Sequence, residues 1–294
     1  MGMTHGSEET FPRLADVIGF CTVEQVLAVA ENVVKVQRDF GCRTDRKHAR
    51  LKYTVQDHGV EWFLQKLNEY LGWNLEPVRP YVFLNNGDRY GWVTDAQGNG
   101  HLTLFIEGGR VIDRAGYAMR EGLREIAKVH TGDFRLTANQ NVIIANVTPA
   151  QRPLIESLVA KYGLEDGSKR SALRLNALAC VALPTCALSL AEAERFLPDL
   201  ITQLEQSLEK VGLRHDAITI RMTGCPNGCA RPYIAEIGFV GRGPNRYNVY
   251  LGGGHAGQRL SKLYRADVEA TAIPAILEPI FERYAKAVSY THLT

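Results

Sequence analysis

The cysteines at 180, 186, 225 and 229 constrain this chain more than any other feature. They form two pairs, Cys180-x5-Cys186 and Cys225-x3-Cys229, with thirty-eight residues between them. If both pairs serve one centre, the fold must carry two distant segments back onto a single point. The second pair sits in Thr223-Gly224-Cys225-Pro226-Asn227-Gly228-Cys229-Ala230. Gly224 and Gly228 permit backbone turns that aim both thiols the same way, and Pro226 stiffens the loop between them. Structural zinc favours short C-x2–4-C knuckles on both sides, and the first spacing is wider than that. An iron–sulfur cubane accepts wide and varied spacings. Spacing therefore favours a cluster, then zinc, then unrelated core thiols.

Composition narrows the setting. The chain has 294 residues, enough for about two domains of ~150 residues. Hydrophobic residues at 45% and charged residues at 22% exclude wholesale disorder. A net charge of +2 gives no reason to expect a nucleic-acid partner. No apolar run reaches the ~18 residues of a membrane span, and residues 1–11 lack the apolar stretch of a secretory signal. The expected setting is cytoplasmic and reducing, with no membrane partner, where clustered cysteines bind metal more often than they pair. Cys21 and Cys42 read as ordinary buried thiols. The eight histidines have no ligand-like spacing, and Trp62, Trp73 and Trp92 read as core or domain-contact residues.

Along the chain, Thr22-Val-Glu-Gln25 fits a capping box before an apolar-periodic helix that Gly41 closes. A second amphipathic helix presents Val60, Phe63, Leu64, Leu67 and Leu71, with Gly72 as its stop. Between them lie five cations within ten residues: Arg43, Arg46, Lys47, Arg50 and Lys52. Alone, such a run is more often a solvated face than a site. From about Glu76, Pro77, Pro80 and Asn85–Asp88 mark loops. A strand and turn (101–111), a helix (118–130), a broken strand pair (134–147) and a helix (149–163) follow, the order of a ferredoxin-like α+β half-sandwich. Residues 165–170 read as a linker. The last block alternates a helix (about 190–211), strands (217–222, 235–240, 246–251) and a helix (about 272–287). There is no internal repeat.

The two cysteine segments, extended through Ala187–Pro198 and Arg221–Tyr233, resemble the haemoprotein of assimilatory sulfite reductases. The wider family includes the ferredoxin-dependent nitrite reductases. Arg43–Tyr53, Arg135–Asn141 and Tyr250–Gly254 fit the same family, so the likeness covers essentially the whole chain. It implies an α+β sirohaem-type reductase fold with a ferredoxin-like half-sandwich between two mixed α/β domains. The corresponding expectation for the chain is 1–78 as part of a first sirohaem-binding domain, 79–165 as the half-sandwich and 166–288 as the cluster domain.

The resemblance also implies chemistry. Cys180, Cys186, Cys225 and Cys229 would hold a [4Fe–4S] cluster, and Cys229 would also bridge to the iron of a sirohaem and act at the catalytic centre. Electrons would pass one at a time into bound sulfite, giving sulfide for cysteine biosynthesis, with the cofactors carrying the redox chemistry. Sirohaem is rich in carboxylates, so the five cations become its expected partners, Arg being suited to bidentate capture. Thr137, Asn139, Gln140 and Asn141 would lie beside it, although asparagines are equally at home in a turn. Asn227 would donate hydrogen bonds that tune the cluster. The electron donor would be a flavoprotein reductase or a ferredoxin.

The likeness has two departures. Full-length members are nearly twice as long, with two pseudo-symmetric halves, and this chain matches the second; the resemblance therefore implies truncation on the N-terminal side, without the basic residues over the sulfite-binding face. Residues 289–294 have no helical continuation by pattern and read as a foreign tail. Nitrite reduction on the same cofactors is the alternative within this family. A four-cysteine zinc module without enzymatic activity is the alternative outside it.

Overall fold

The computed structural model describes residues 2–3, 9–114, 116–164 and 167–291, with side chains to residue 288. The first part is helical. α1 (Val26–Phe40) starts after half a capping box: the Thr22 N–H donates to Gln25 Oε1 at 2.9 Å. Gly41 closes it by donating to the Gln37 carbonyl. α2 (Leu51–His58) runs directly into α3 (Val60–Leu71), which ends at Gly72 with φ of 74°, a left-handed cap that suits glycine. α1 packs on α3, and Val36 of the first and Phe63 and Leu67 of the second are buried. The basic run supplies a 3-10 turn (Arg46–His48) and the first two residues of α2. Asp45 caps that turn by accepting from the Lys47 N–H. Helix α2 has few apolar positions, so its sequence carries little periodic signal.

An extended segment leads to the second part, with Arg79 stacked on Phe20 and Tyr81–Leu84 exposed. β1 (Gly91–Thr94) and β2 (Gly100–Leu104) form a hairpin. After a short β3 (Asp113–Arg114) and β4 (Tyr117–Ala118) come α4 (Met119–Val129), β5 (Asp133–Leu136), β6 (Val142–Val147) and α5 (Arg152–Lys161). The antiparallel sheet runs β1-β2-β6-β5. Leu102, Leu104, Met119, Ile126, Ile144 and Ile155 fill the layer between sheet and helices. This is the anticipated ferredoxin-like half-sandwich. Its other face carries Val93, His101, Thr103, Arg135 and Ile143.

The third part begins with α6 (Ala172–Leu175), β7 (Ala177–Ala179), α7 (Leu197–Lys210) and β8 (Ile220–Thr223). β9 (Ile237–Gly243), β10 (Arg246–Leu251), β11 (Lys262–Glu269) and α8 (Ile273–Thr291) complete it. The sheet order is β11-β10-β9-β8-β7, parallel across β7-β8-β9 and antiparallel beyond. Leu200, Leu204, Ile220, Met222, Phe239 and Leu277 lie in the core that joins the sheet to α7 and α8. Parallel neighbours need a crossover of a dozen or more residues. The stretch between the cysteine pairs supplies it, with α7 as its helix.

Three expectations need correction. α7 begins at Leu197, not near 190, because the residues before it wrap the cysteine loop. Cys21 and Cys42 are only half-buried, both lying in irregular chain outside α1. Helix α8 continues to Thr291, so residues 289–291 do extend the helix; 292–294 lie outside the described residues, as do Glu165 and Asp166 of the expected linker. Among the described residues no helix is long and apolar enough to cross a membrane.

Candidate metal centre

Parallel pairing of β7 with β8 brings the cysteine pairs together. Ala179 is the register partner of Met222, so Cys180 and Cys225 leave adjacent strands at the same end of the sheet. The Cys180 N–H donates to the Met222 carbonyl at 3.1 Å, and the Gly224 N–H donates to Cys180 Sγ at 3.3 Å. The loop carrying Cys186 then folds over Gly224. The Leu190 and Ala191 N–H groups donate to the Gly224 carbonyl at 2.8 and 3.0 Å. A Cβ on Gly224 would stand 1.8 Å from Ser189 Oγ and 2.5 Å from the Ala191 carbonyl. Glycine is required here for close backbone approach.

The second pair closes through short turns. Thr223 Oγ1 donates to the Cys225 carbonyl at 2.7 Å, the Gly228 N–H reaches the same carbonyl, and Gly228 has φ of 68°. Cys225 is buried, Cys180 and Cys186 are half-buried, and Cys229 is exposed. Burial pushes the Cys180 thiol up, and Cys225 and Cys229 add to the rise. Burial likewise raises Cys225, with Cys229 and Cys186 adding to it while the Asn227 backbone N–H opposes. The four sulfurs therefore share one electrostatic neighbourhood. Among the described residues, no three His, Cys, Asp or Glu side chains are gathered so as to hold a single metal ion.

The basic stretch divides. Lys52 Nζ donates to the Gly2 carbonyl at 2.9 Å, to Thr10 Oγ1 and to the Phe11 carbonyl, and Arg50 also reaches the Gly2 carbonyl. Gly2 rests on Asn227, and the Met3 N–H donates to the Pro226 carbonyl at 2.9 Å. Arg50 and Lys52 are thus linked to the cysteine loop through two residues of the N-terminal segment. Arg43 instead caps the C-terminal end of α1 through the Arg38 carbonyl, and Arg46 and Lys47 are exposed.

The loop at 137–141 is largely engaged with protein atoms. Thr137 donates to Asp88 Oδ2 at 2.6 Å, Asn139 to Asp88 Oδ1 and the Asn86 carbonyl, and Asn141 to Asp88 and Tyr90. Gln140, at φ of 68°, donates to the Ala179 carbonyl at 2.8 Å, at the end of β7. These side chains build the turn and tie it to Cys180's strand. Asn227 contributes its backbone N–H to Cys225.

Two arginines escaped the sequence reading. Arg231 lies just past Cys229 with φ of 58° and donates to the Ala138 carbonyl. Arg221 is buried on β8, and burial together with Arg231 pushes its pKa down to about 10. The alternation Ile220-Arg221-Met222 was the available signal, since it sets Arg221 on the face opposite the core.

Comparisons with known proteins agree with this architecture. Residues 1–75 match the nitrite and sulphite reductase 4Fe-4S domain, and residues 94–162 match the nitrite/sulfite reductase ferredoxin-like half domain. The chain is 57% identical over 286 residues to a sulfite reductase [NADPH] hemoprotein beta-component of Myxococcus xanthus, covering 97% of this chain and 51% of that one. A protein of the same description from Geobacillus kaustophilus is also 57% identical, with 97% and 50% covered. The chain thus spans about half the length of the curated relatives it matches. Among solved structures, Mycobacterium tuberculosis NirA superposes with a TM-score of 0.80 at 25% identity, over 97% of this chain and 56% of that one. On its sequence and its fold, the chain belongs to the nitrite and sulphite reductase family.

Proposed function

We propose that this chain is the cofactor-binding part of a sulfite reductase that converts sulfite to sulfide. Cys180, Cys186, Cys225 and Cys229 would hold a [4Fe–4S] cluster, and Cys229 would also hold the sirohaem. The observation that carries this reading is the delivery of two sequence-distant thiol pairs to one end of the parallel sheet, with Cys229 alone exposed. The donor set suits the group. A single zinc needs four sulfurs at about 2.3 Å from one point, whereas a [4Fe–4S] cluster would take one thiolate on each of its four irons and so accept them farther apart. The matched domain named for the cluster covers residues 1–75, so the assignment of the cluster to 180–229 rests on the thiols themselves.

When bound, the coupled cluster and haem supply electrons one at a time to a sulfur oxyanion. The chain's own part is ligation and electrostatics. Burial disfavours the ionised forms of Cys180 and Cys225, a cost that a bound cation offsets, so ligation goes with loss of their protons. The Gly224 and Asn227 N–H groups favour the charged sulfurs. Arg50 and Lys52 are the cations of the basic stretch linked most directly to the cysteine loop. Thr137, Asn139, Gln140 and Asn141 hold the wall beside Cys180, and Arg43, Arg46 and Lys47 are left to the surface or to a partner. That partner is an electron-donor protein, a flavoprotein or ferredoxin, in the cytoplasm.

The test is sulfide release from sulfite with a reduced dye, using the protein at its natural length and supplied with sirohaem, with nitrite assayed in parallel. Sulfite turnover above nitrite turnover supports the reading. Preference for nitrite replaces the substrate, and a colourless protein holding one zinc replaces the reading altogether.

A further inference from the structure

Arg221 lies four residues before Cys225. Ile220 and Met222 point into the core of the sheet, so Arg221 stands on the opposite face, with Leu178 of β7 and Gly238 of β9 as register partners. It is 3% exposed, and its Nε and Nη1 have no hydrogen-bonding partner among the described residues. The charged neighbour it feels is another cation, Arg231. An unpaired buried charge is costly, and native proteins keep one where a partner offsets it.

The surroundings fix where that partner enters. A Cβ on Gly238 would stand 2.4 Å from the Pro232 carbonyl, so the turn that follows the cysteine loop crosses the sheet beside Arg221. Arg231, at the start of that turn, reaches across to Ala138. Both arginines therefore lie where the cysteine loop meets the 137–141 loop. Asp88, the carboxylate against which that loop is built, is occupied by Thr137, Asn139 and Asn141.

We propose that Arg221 is a buried carboxylate-binding residue, and that the group it receives is a carboxylate of the tetrapyrrole. The planar guanidinium fork matches a carboxylate bidentately. A rigid macrocycle against the cysteine loop can present one without ordering any further chain. The inference rests on the sirohaem reading above.

The experiment compares the natural-length protein with Arg221→Met and Arg221→Lys. It measures sirohaem per chain after dialysis, iron and acid-labile sulfide, and the melting temperature of the cofactor-free form. Arg221→Met should retain sirohaem about tenfold more weakly while keeping its cluster, and its cofactor-free form should melt higher, because an uncompensated buried charge has gone. Arg221→Lys keeps the charge but loses the fork, and should fall between. Equal sirohaem retention in Arg221→Met overturns the assignment. So does a lower melting temperature or failure to fold, since the guanidinium would then have a protein partner. If the parent binds a cluster but no sirohaem, the sirohaem reading itself fails and takes this assignment with it.

Discussion

Arg110 grips Glu194 through both carboxylate oxygens, Nε to Oε1 at 2.6 Å and Nη2 to Oε2 at 2.5 Å. The pair joins the turn after β2 to the loop before α7, and the Glu194 N–H donates to the Cys180 carbonyl at 3.1 Å. The half-sandwich is thereby fastened to the strand end that carries Cys180. Glu194's side chain is 8% exposed and Arg110's is 34%. Arg110→Met should therefore cost about 1–3 kcal/mol, more than a surface pair, by leaving a buried carboxylate unpaired. Urea unfolding of Arg110→Met, Glu194→Met and the double variant measures this. The double variant should be no less stable than Arg110→Met; strictly additive losses would remove the coupling.

Gly224→Ala should be among the most damaging single-methyl changes in the chain. The added Cβ meets Ser189 Oγ, the Ala191 carbonyl and Ala182 Cβ. The expected loss is about 2–3 kcal/mol, with iron content falling in parallel. A variant of normal stability and full iron content would mean that the loop moves aside freely.

Acid sensitivity should arise at Glu205. Burial opposes its ionisation, but hydrogen bonds and charge from Arg174, with Ser171, outweigh it and hold its pKa below the ordinary 4.5. Arg174 also pairs with Glu107 of the half-sandwich. A depressed folded pKa gives stability that is complete above the unfolded value and is lost as pH falls through the folded one. Stability should therefore drop below about pH 4.5, and Glu205→Gln should flatten that part of the curve while lowering stability at neutral pH. An unchanged acid limb in Glu205→Gln would assign the sensitivity elsewhere.

Within the basic stretch, position should matter more than charge. Lys52→Met removes the donor to Gly2, Thr10 and Phe11 and should loosen the segment that abuts Pro226 and Asn227. Charge removal at Arg46 and Lys47 touches exposed groups and should leave stability and cofactor content nearly unchanged. Sirohaem content in the two variants separates them; equal loss would restore a shared role for the whole run.

The cysteine constellation and the half-sandwich were legible because each leaves a local record: spaced thiols with flanking glycines, and alternating strand and helix periods. Helix α2 was not, since eight residues with few apolar positions give no clear period. Strands β7 and β11 were missed because one has three residues and the other is an exposed edge. The roles of Thr137, Asn139 and Asn141 depended on Asp88, some fifty residues away, a contact no local pattern records. Arg221 became visible only once the strand register showed which face it occupies.

The most direct test is the iron and acid-labile sulfide content of the natural-length protein after anaerobic reconstitution, compared with Cys180→Ser, Cys186→Ser and Cys225→Ser. Serine is a poor replacement for a thiolate that anchors iron. The parent should carry a cubane's complement of both elements with its absorbance and reduced-state magnetic signal, and each serine variant should lose that signal. A variant that keeps a normal cluster would take that cysteine out of the ligand set and contradict the convergence of the two pairs on one centre.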